Sequence, residues 1–311
     1  MGLLLCVVSA AWAQKAQTYR IGILTDAMVA WHSTTEGFRD GLKALGYVEG
    51  KNVVFEARAG RGDTARIGAL AAELVQQKPD LILCVSDACR KDTGAVPMVF
   101  VQVSDPVRIG LVSSVARPGG NVTGIANLRA ELTAKRLALF KEIVPSLRRV
   151  LVIYDPREKE EAESVAVART TASQLRLTLV ERPISGTPDI EPGLAELTEG
   201  GQDGILIVQA GTNLNVAGRS LEVATSNRIP TMYPASFWSN VGALASYGPD
   251  QYVQGRQAAR LAHKILTGTP AREIPVELPD RIELIINVKT AKRLGLKISP
   301  SILLRADRVV E

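Results

Sequence analysis

A chain of 311 residues, 46% hydrophobic and 22% charged, can bury ample core and is long enough for two domains. Its net charge of +5 and isoelectric point near 9.1 do not mark a nucleic-acid binder, because Lys and Arg are interspersed with Asp and Glu and no basic stripe carries interleaved aromatics. Three cysteines and two histidines are too few for a disulfide framework, and none stand at metal-ligand spacing.

Residues 2–13 are apolar, too short at about a dozen residues to span a bilayer, and end in Ala11-Trp12-Ala13, an A-x-A cleavage pattern. The segment reads as a signal peptide over residues 1–13, cut before Gln14, although no Lys or Arg precedes the apolar run. Export to the periplasm is the expectation. Cys84 and Cys89 remain after cleavage. A bridge between them is open, as is a reading of Cys84 as a packed, inert strand residue.

From Tyr19 onward, short β-branched runs alternate with helical patterns, the signature of βαβ units. A strand is expected over residues 19–24. Ser33 and Glu36 then stand at capping-box spacing, Phe38, Leu42 and Leu45 share a helix face, and Gly46 stops the helix. A strand over 53–57 leads through Asp63, a suitable N-cap, to a helix whose Ile67, Leu70, Ala71, Leu74 and Val75 form one apolar face. Strands over 81–85 and 98–103 complete this set. The same order then recurs, with strands over 150–154, 177–181 and 204–208 and helices over 163–174 and 190–197. Val96-Pro97 before one strand parallels Ile229-Pro230 before another. Such a duplication predicts an α/β protein of two doubly wound parallel-sheet lobes joined by a multi-strand hinge. Gly119-Gly120-Asn121-Val122-Thr123-Gly124 and Ser246-Tyr247-Gly248-Pro249 are either parts of that hinge or ordinary turns.

In such sheets ligands sit outside the carboxyl ends of the strands. That rule selects Thr25, Asp26, Ser86, Asp87, Ser104 and Asp105 in the first lobe. In the second it selects Tyr154, Asp155, Gln209, Tyr233 and Ser236. Asp26, Asp105 and Asp155 each offer a carboxylate to a solute ammonium group, although Asp105 and Asp155, each before a Pro, could equally open a turn. Trp31, Tyr233, Phe237 and Trp238 could enclose an aromatic or cationic solute, with packing in the core or at the lobe interface the preferred reading for Phe237 and Trp238. His32 reads as a surface loop residue. Gly60-Arg61-Gly62-Asp63-Thr64-Ala65 matches a dinucleotide fingerprint, with Asp87 about 20 residues beyond. It follows the second strand rather than the first, however, and tight-turn glycines before an N-cap explain it better. No Walker loop, nucleophile elbow or zincin helix is present, and binding without catalysis, cofactor or metal is expected.

At Asp105 the sequence begins to resemble a known family. Ser104-Asp105-Pro106-Val107, Gly110-Leu111-Val112 and Ala116-Arg117-Pro118-Gly119-Gly120-Asn121-Val122-Thr123-Gly124 are similar to a block in ABC-transporter substrate-binding proteins of the family that includes tryptophan-binding members. Gly37-Phe38-Arg39-Asp40-Gly41-Leu42, Ser246-Tyr247-Gly248-Pro249 and Ile286-Asn287-Val288-Lys289-Thr290-Ala291 follow in the family's order, so the resemblance covers residues 19–311. The stretch from Ser86 to Val96 is several residues shorter than is usual there.

The resemblance implies a type I periplasmic-binding-protein fold, crossed by three hinge strands, with the chain returning to the first lobe for a helix near residues 251–266. The expected lobes are residues 18–126 plus 248–272 and residues 127–247 plus 273–311. Tyr247, in the implied hinge, completes the expected ligand-binding set. The implied role is capture of a small polar solute, an amino acid or similar, by a monomer that passes it to an ABC permease with its ATPase. A ligand-sensing module for a signalling partner is the alternative, since either partner could read the same closed form.

Overall fold

The computed structural model describes residues 18–86, 88–89, 93–185, 189, 192, 194–195, 203–208 and 214–311. The signal-peptide segment, Asp87, Gln209 and most of the helix expected over 190–197 lie outside the described residues.

Strands that are apolar on both faces must be covered on both faces, and this chain builds two such sheets. The first contains β1 (Tyr19–Thr25), β2 (Val53–Ala59), β3 (Leu81–Val85), β4 (Met98–Val103) and β5 (Val122–Ala126), all parallel, in the order β2-β1-β3-β4-β5. Leu81, Leu83 and Val85 pack with Phe38 and Leu42 of α1 (Ser33–Ala44), while Ile82 and Cys84 pack with Ile67, Leu70 and Leu74 of α2 (Ile67–Gln76). Each such buried Leu or Ile contributes roughly 1.5–3 kcal/mol.

The second sheet contains β6 (Arg149–Tyr154), β7 (Thr178–Pro183), β8 (Asp203–Leu206), β9 (Thr231–Tyr233), β10 (Ala245–Pro249), β11 (Ile282–Asn287) and β12 (Arg308–Val310). Its order, β12-β11-β10-β9-β8-β6-β7, contains β7-β6-β8-β9-β10, a repeat of the first sheet's topology. Two strands extend it, β11 being antiparallel to β10. On one face lie α3 (Arg129–Ile143) and α4 (Lys159–Gln174); on the other lie α5 (Leu214–Ser226) and α6 (Ser236–Asn240).

The chain then returns, as α7 (Gln251–Leu266), to pack along α1 in the first lobe. The two helices cross at backbone contact. A Cβ on Gly37 would lie 2.1 Å from Tyr252 O, and one on Gly255 would lie 2.0 Å from Thr34 O. No side chain fits at either position.

Crossings between lobes follow β5, follow β10, and lie between Glu277 and β11. The lobe boundaries differ slightly from expectation. Ile274 and Val276 pack in the first lobe's cores, past the expected limit of residue 272. Main-chain pairing carries them there: Ala126 N–H donates to Glu277 O, and Glu277 N–H donates to Gly124 O, both at 2.9 Å. Similarly, Gly248 and Pro249 stay in β10, so the return to the first lobe begins after them. The fully buried Gln257 of α7 donates to Leu278 O at 2.8 Å and accepts from Asp280 N–H at 3.1 Å, anchoring the last crossing. Among the described residues no helix is long and apolar enough to cross a membrane.

Candidate ligand-binding cleft

The ends of β1, β3 and β4 converge on one edge of the first sheet. Asp26, just past β1, is buried and accepts the Ser86 hydroxyl proton at 2.6 Å. Ser86 in turn accepts from Ala88 N–H at 2.9 Å. A disulfide between Cys84 and Cys89 closes this turn, which decides the question the sequence left open and replaces the reading of Cys84 as a free thiol. Thr25 Oγ1 accepts from Ala27 N–H at 3.1 Å and lies 3.2 Å from His32 Nε2.

His32 is the N-cap of α1, where Ser33 and Glu36 were expected to set the helix start. The cause is Thr35, whose hydroxyl oxygen accepts from His32 N–H at 2.9 Å. Burial lowers the His32 pKa to about 4, so at neutral pH the ring is uncharged and offers one N–H and one lone pair. The expectation of a surface histidine is corrected.

A cavity of about 220 Å³ opens here, bounded by Thr25, Asp26, Met28, Val29, His32 and Gln102 from the first lobe and by Ala235, Phe237 and Trp238 from the second, with Gln251 at the start of α7. Its volume suits one small solute. Among the described lining residues Asp26 is the one acidic group, and no Lys or Arg joins it. Phe237 is 52% exposed yet faces the cavity, and Trp238 behind it is buried in the second lobe's core. Trp238 is therefore a core residue, while Phe237 lies on the face between the lobes.

Of the expected site residues, the structure brings Thr25 and Asp26 to the cavity and Ser86 directly behind Asp26. Trp31 is placed elsewhere, edge-on to Phe55 at 5.9 Å with the Arg39 guanidinium 4.9 Å from its ring. Tyr233 is fully buried. Its hydroxyl donates to Ala217 O at 2.7 Å and its ring packs on Trp238 at 5.0 Å, so both its polar and apolar parts are engaged inside the second lobe. Asp105 pairs with Arg108 at 3.3 Å. Tyr154 packs against the second lobe's core beside Glu181, and Ser236 opens α6 near Glu283. Tyr247 packs on the second lobe's core, and its carbonyl accepts from the buried Arg136 Nε at 2.7 Å.

The fingerprint-like turn holds no phosphate cradle. Its N–H groups are already engaged, Gly60 with Thr25 O at 2.7 Å, Arg61 with Ala27 O at 3.0 Å and Gly62 with Asp26 O at 2.7 Å. The turn instead braces the β1 end from behind.

Two doubly wound lobes, with a small and largely apolar cavity that carries a few polar groups between their facing loops, define a two-lobed solute-binding protein. Residues 23–310 match the family described as ABC transporter substrate binding protein, and the chain belongs to that family, whose members bind solutes and are not enzymes. A tyrosine-binding protein of Clostridioides difficile is 31% identical over 268 residues, 84% of this chain and 76% of that protein. Among solved structures, a conserved domain protein of Vibrio cholerae is 28% identical with a TM-score of 0.83, covering 94% of this chain and 100% of the other. A Streptococcus pneumonia ABC domain in complex with L-Trp shares the fold at a TM-score of 0.82 and 22% identity, covering 94% of this chain and 100% of that one.

Proposed function

We propose that the protein captures an amino acid in the interlobe cavity and delivers it to an ABC permease and its ATPase. The observation that carries this reading is the cavity itself, with the buried Asp26–Ser86 pair and His32 on one side and the ring of Phe237 on the other. A polar end and an apolar side chain could be held at once. The names of the relatives that bind tyrosine and tryptophan support the solute class. The protein would work outside the cytoplasm, released after cleavage of residues 1–13. The Cys84–Cys89 disulfide supports that location, since such bridges persist in oxidising compartments.

Thermal denaturation against the twenty L-amino acids tests the reading. A true ligand at a hundredfold excess over its Kd adds about 2.7 kcal/mol of stability, a clear upward shift in Tm. A panel with no shift for any member would overturn it.

A further inference from the structure

Gln102 is the one polar residue in the run Met98-Val99-Phe100-Val101-Gln102-Val103, and its backbone is abnormal. Its φ is +69°, in the left-handed region that non-glycine residues rarely adopt. At the same point the pairing of β4 with β5 shifts register between Val101 and Val103. A bulge of this kind re-aims one side chain relative to the regular alternation of the strand. Here it turns Gln102 to the cavity between the lobes, where Nε2 donates to Thr34 Oγ1 of α1 at 3.2 Å.

From this geometry we infer that Gln102 is a specificity-determining residue of the cleft, accepting a hydrogen bond from the solute's ammonium group through its carbonyl oxygen. The inference rests on the amino-acid reading above and deepens it. Thr34 fixes the amide by its nitrogen, which leaves Oε1 as the acceptor offered to the cavity. Asp26, the acidic lining residue, gives one carboxylate oxygen to Ser86, and Gln102 is a second acceptor facing the same space. A bulky side chain held at positive φ is also the pattern of a local conformation maintained for a site rather than for the fold.

Two variants and two ligands test it. Gln102→Gly removes the amide and suits the left-handed φ; Gln102→Ala removes the amide and keeps the unfavourable φ. Calorimetric titration with L-tyrosine should give binding about tenfold weaker for both variants, the loss of one good hydrogen bond. With 3-(4-hydroxyphenyl)propionate, which lacks the ammonium group, wild type and variants should bind alike. Without ligand, Gln102→Gly should melt about 2 °C above wild type. Wild-type affinity for L-tyrosine in both variants would overturn the inference and leave the amino-acid reading intact. So would an equal loss for both ligands, or a Gln102→Gly protein that melts below wild type. If wild type bound no amino acid at all, the amino-acid reading would fall, and the ammonium contact with it.

Discussion

Arg108 of the first lobe and Glu160 of α4 in the second stand 3.3 Å apart, guanidinium to carboxylate, with side chains only 22% and 18% exposed. Glu163 is equally close to the same nitrogen, and Asp105 holds the guanidinium from its own lobe. These contacts join the lobes only while the lobes are together, so they weight the equilibrium toward the closed form. Arg108→Ala should therefore weaken solute binding about fivefold, as expected for a part-buried ion pair near 1 kcal/mol. The melting temperature of the ligand-free variant should stay within about 1 °C of wild type. Raising salt should weaken wild-type binding, whereas the variant, in which Asp105 faces Glu160 and Glu163 without the guanidinium, should keep its affinity or gain slightly as the like charges are screened. Calorimetric titration at low and high salt checks both.

A buried carboxyl and a half-buried imidazole give the stability a pH dependence with opposite signs. Burial raises Glu161 from 4.5 to about 7, with Glu158 and Asp155 adding to the rise and Asp155 N–H and Arg129 opposing it. The folded state therefore binds a proton that the unfolded state has lost, and stability falls as pH climbs from 4.5 through 7. His32 is lowered from 6.5 to about 4. Its contribution is complete above pH 6.5 and is lost as pH falls toward 4, so the two slopes oppose each other between 4.5 and 6.5. Glu161→Gln should be more stable than wild type by on the order of 3 kcal/mol at pH 8, with most of that advantage gone at pH 4.5. Urea denaturation at the two pH values decides it; a constant difference would falsify the assignment.

The disulfide holds the wall behind Asp26. Cys84 and Cys89 are both fully buried, and the turn between them carries the Ser86 hydroxyl that bonds Asp26. Closing so short a loop restrains the unfolded chain modestly, by about 2 kcal/mol. The double variant Cys84→Ala, Cys89→Ala should lose that much in urea denaturation. It should also bind solute more weakly, since Ser86 is then held by the strand alone. A double variant with full affinity would show that the bridge serves stability only.

The strands were more legible than the cleft. Expected limits of residues 81–85 and 98–103 coincide with β3 and β4 because central parallel strands are apolar on both faces and stop where the apolar run stops. At the sheet margin, β7 ends two residues later than expected, at Pro183, since Glu181 and Arg182 look like loop residues yet suit a half-exposed edge. The rule of strand ends selected Thr25 and Asp26, which line the cavity, and Ser86, which bonds Asp26. It did not select Gln102, another residue of the cavity lining, whose direction depends on a φ of +69° that no periodicity encodes, though a lone polar residue in an apolar strand was a usable signal. Tyr233 stands at a strand end as the rule requires, but its ring turns inward to Trp238. His32 faces the cavity because Thr35, rather than Ser33, sets the start of the helix.

The crossing of α1 and α7 sets where the first lobe's side of the cavity lies. His32 caps α1, Thr34 holds Gln102, and Gln251 opens α7, so the approach of these two helices fixes three lining residues at once. A methyl group on Gly255 would sit 2.0 Å from Thr34 O and 2.7 Å from Phe38 N, both backbone atoms that no rotamer change can move aside. Gly255→Ala must push the helices apart, exposing the packing of Phe38 and Leu42 against Ala258 and Ala259. Overpacking at such a contact costs typically 1–3 kcal/mol and occasionally more, so about 3 kcal/mol is expected here. Gly268→Ala, after the end of α7, is the control, since a Cβ there meets nothing within 4 Å, although its positive φ will cost about 1 kcal/mol. Urea denaturation should rank wild type above Gly268→Ala and both above Gly255→Ala. Solute affinity should fall in Gly255→Ala alone, because only that change displaces Thr34 and with it the amide of Gln102.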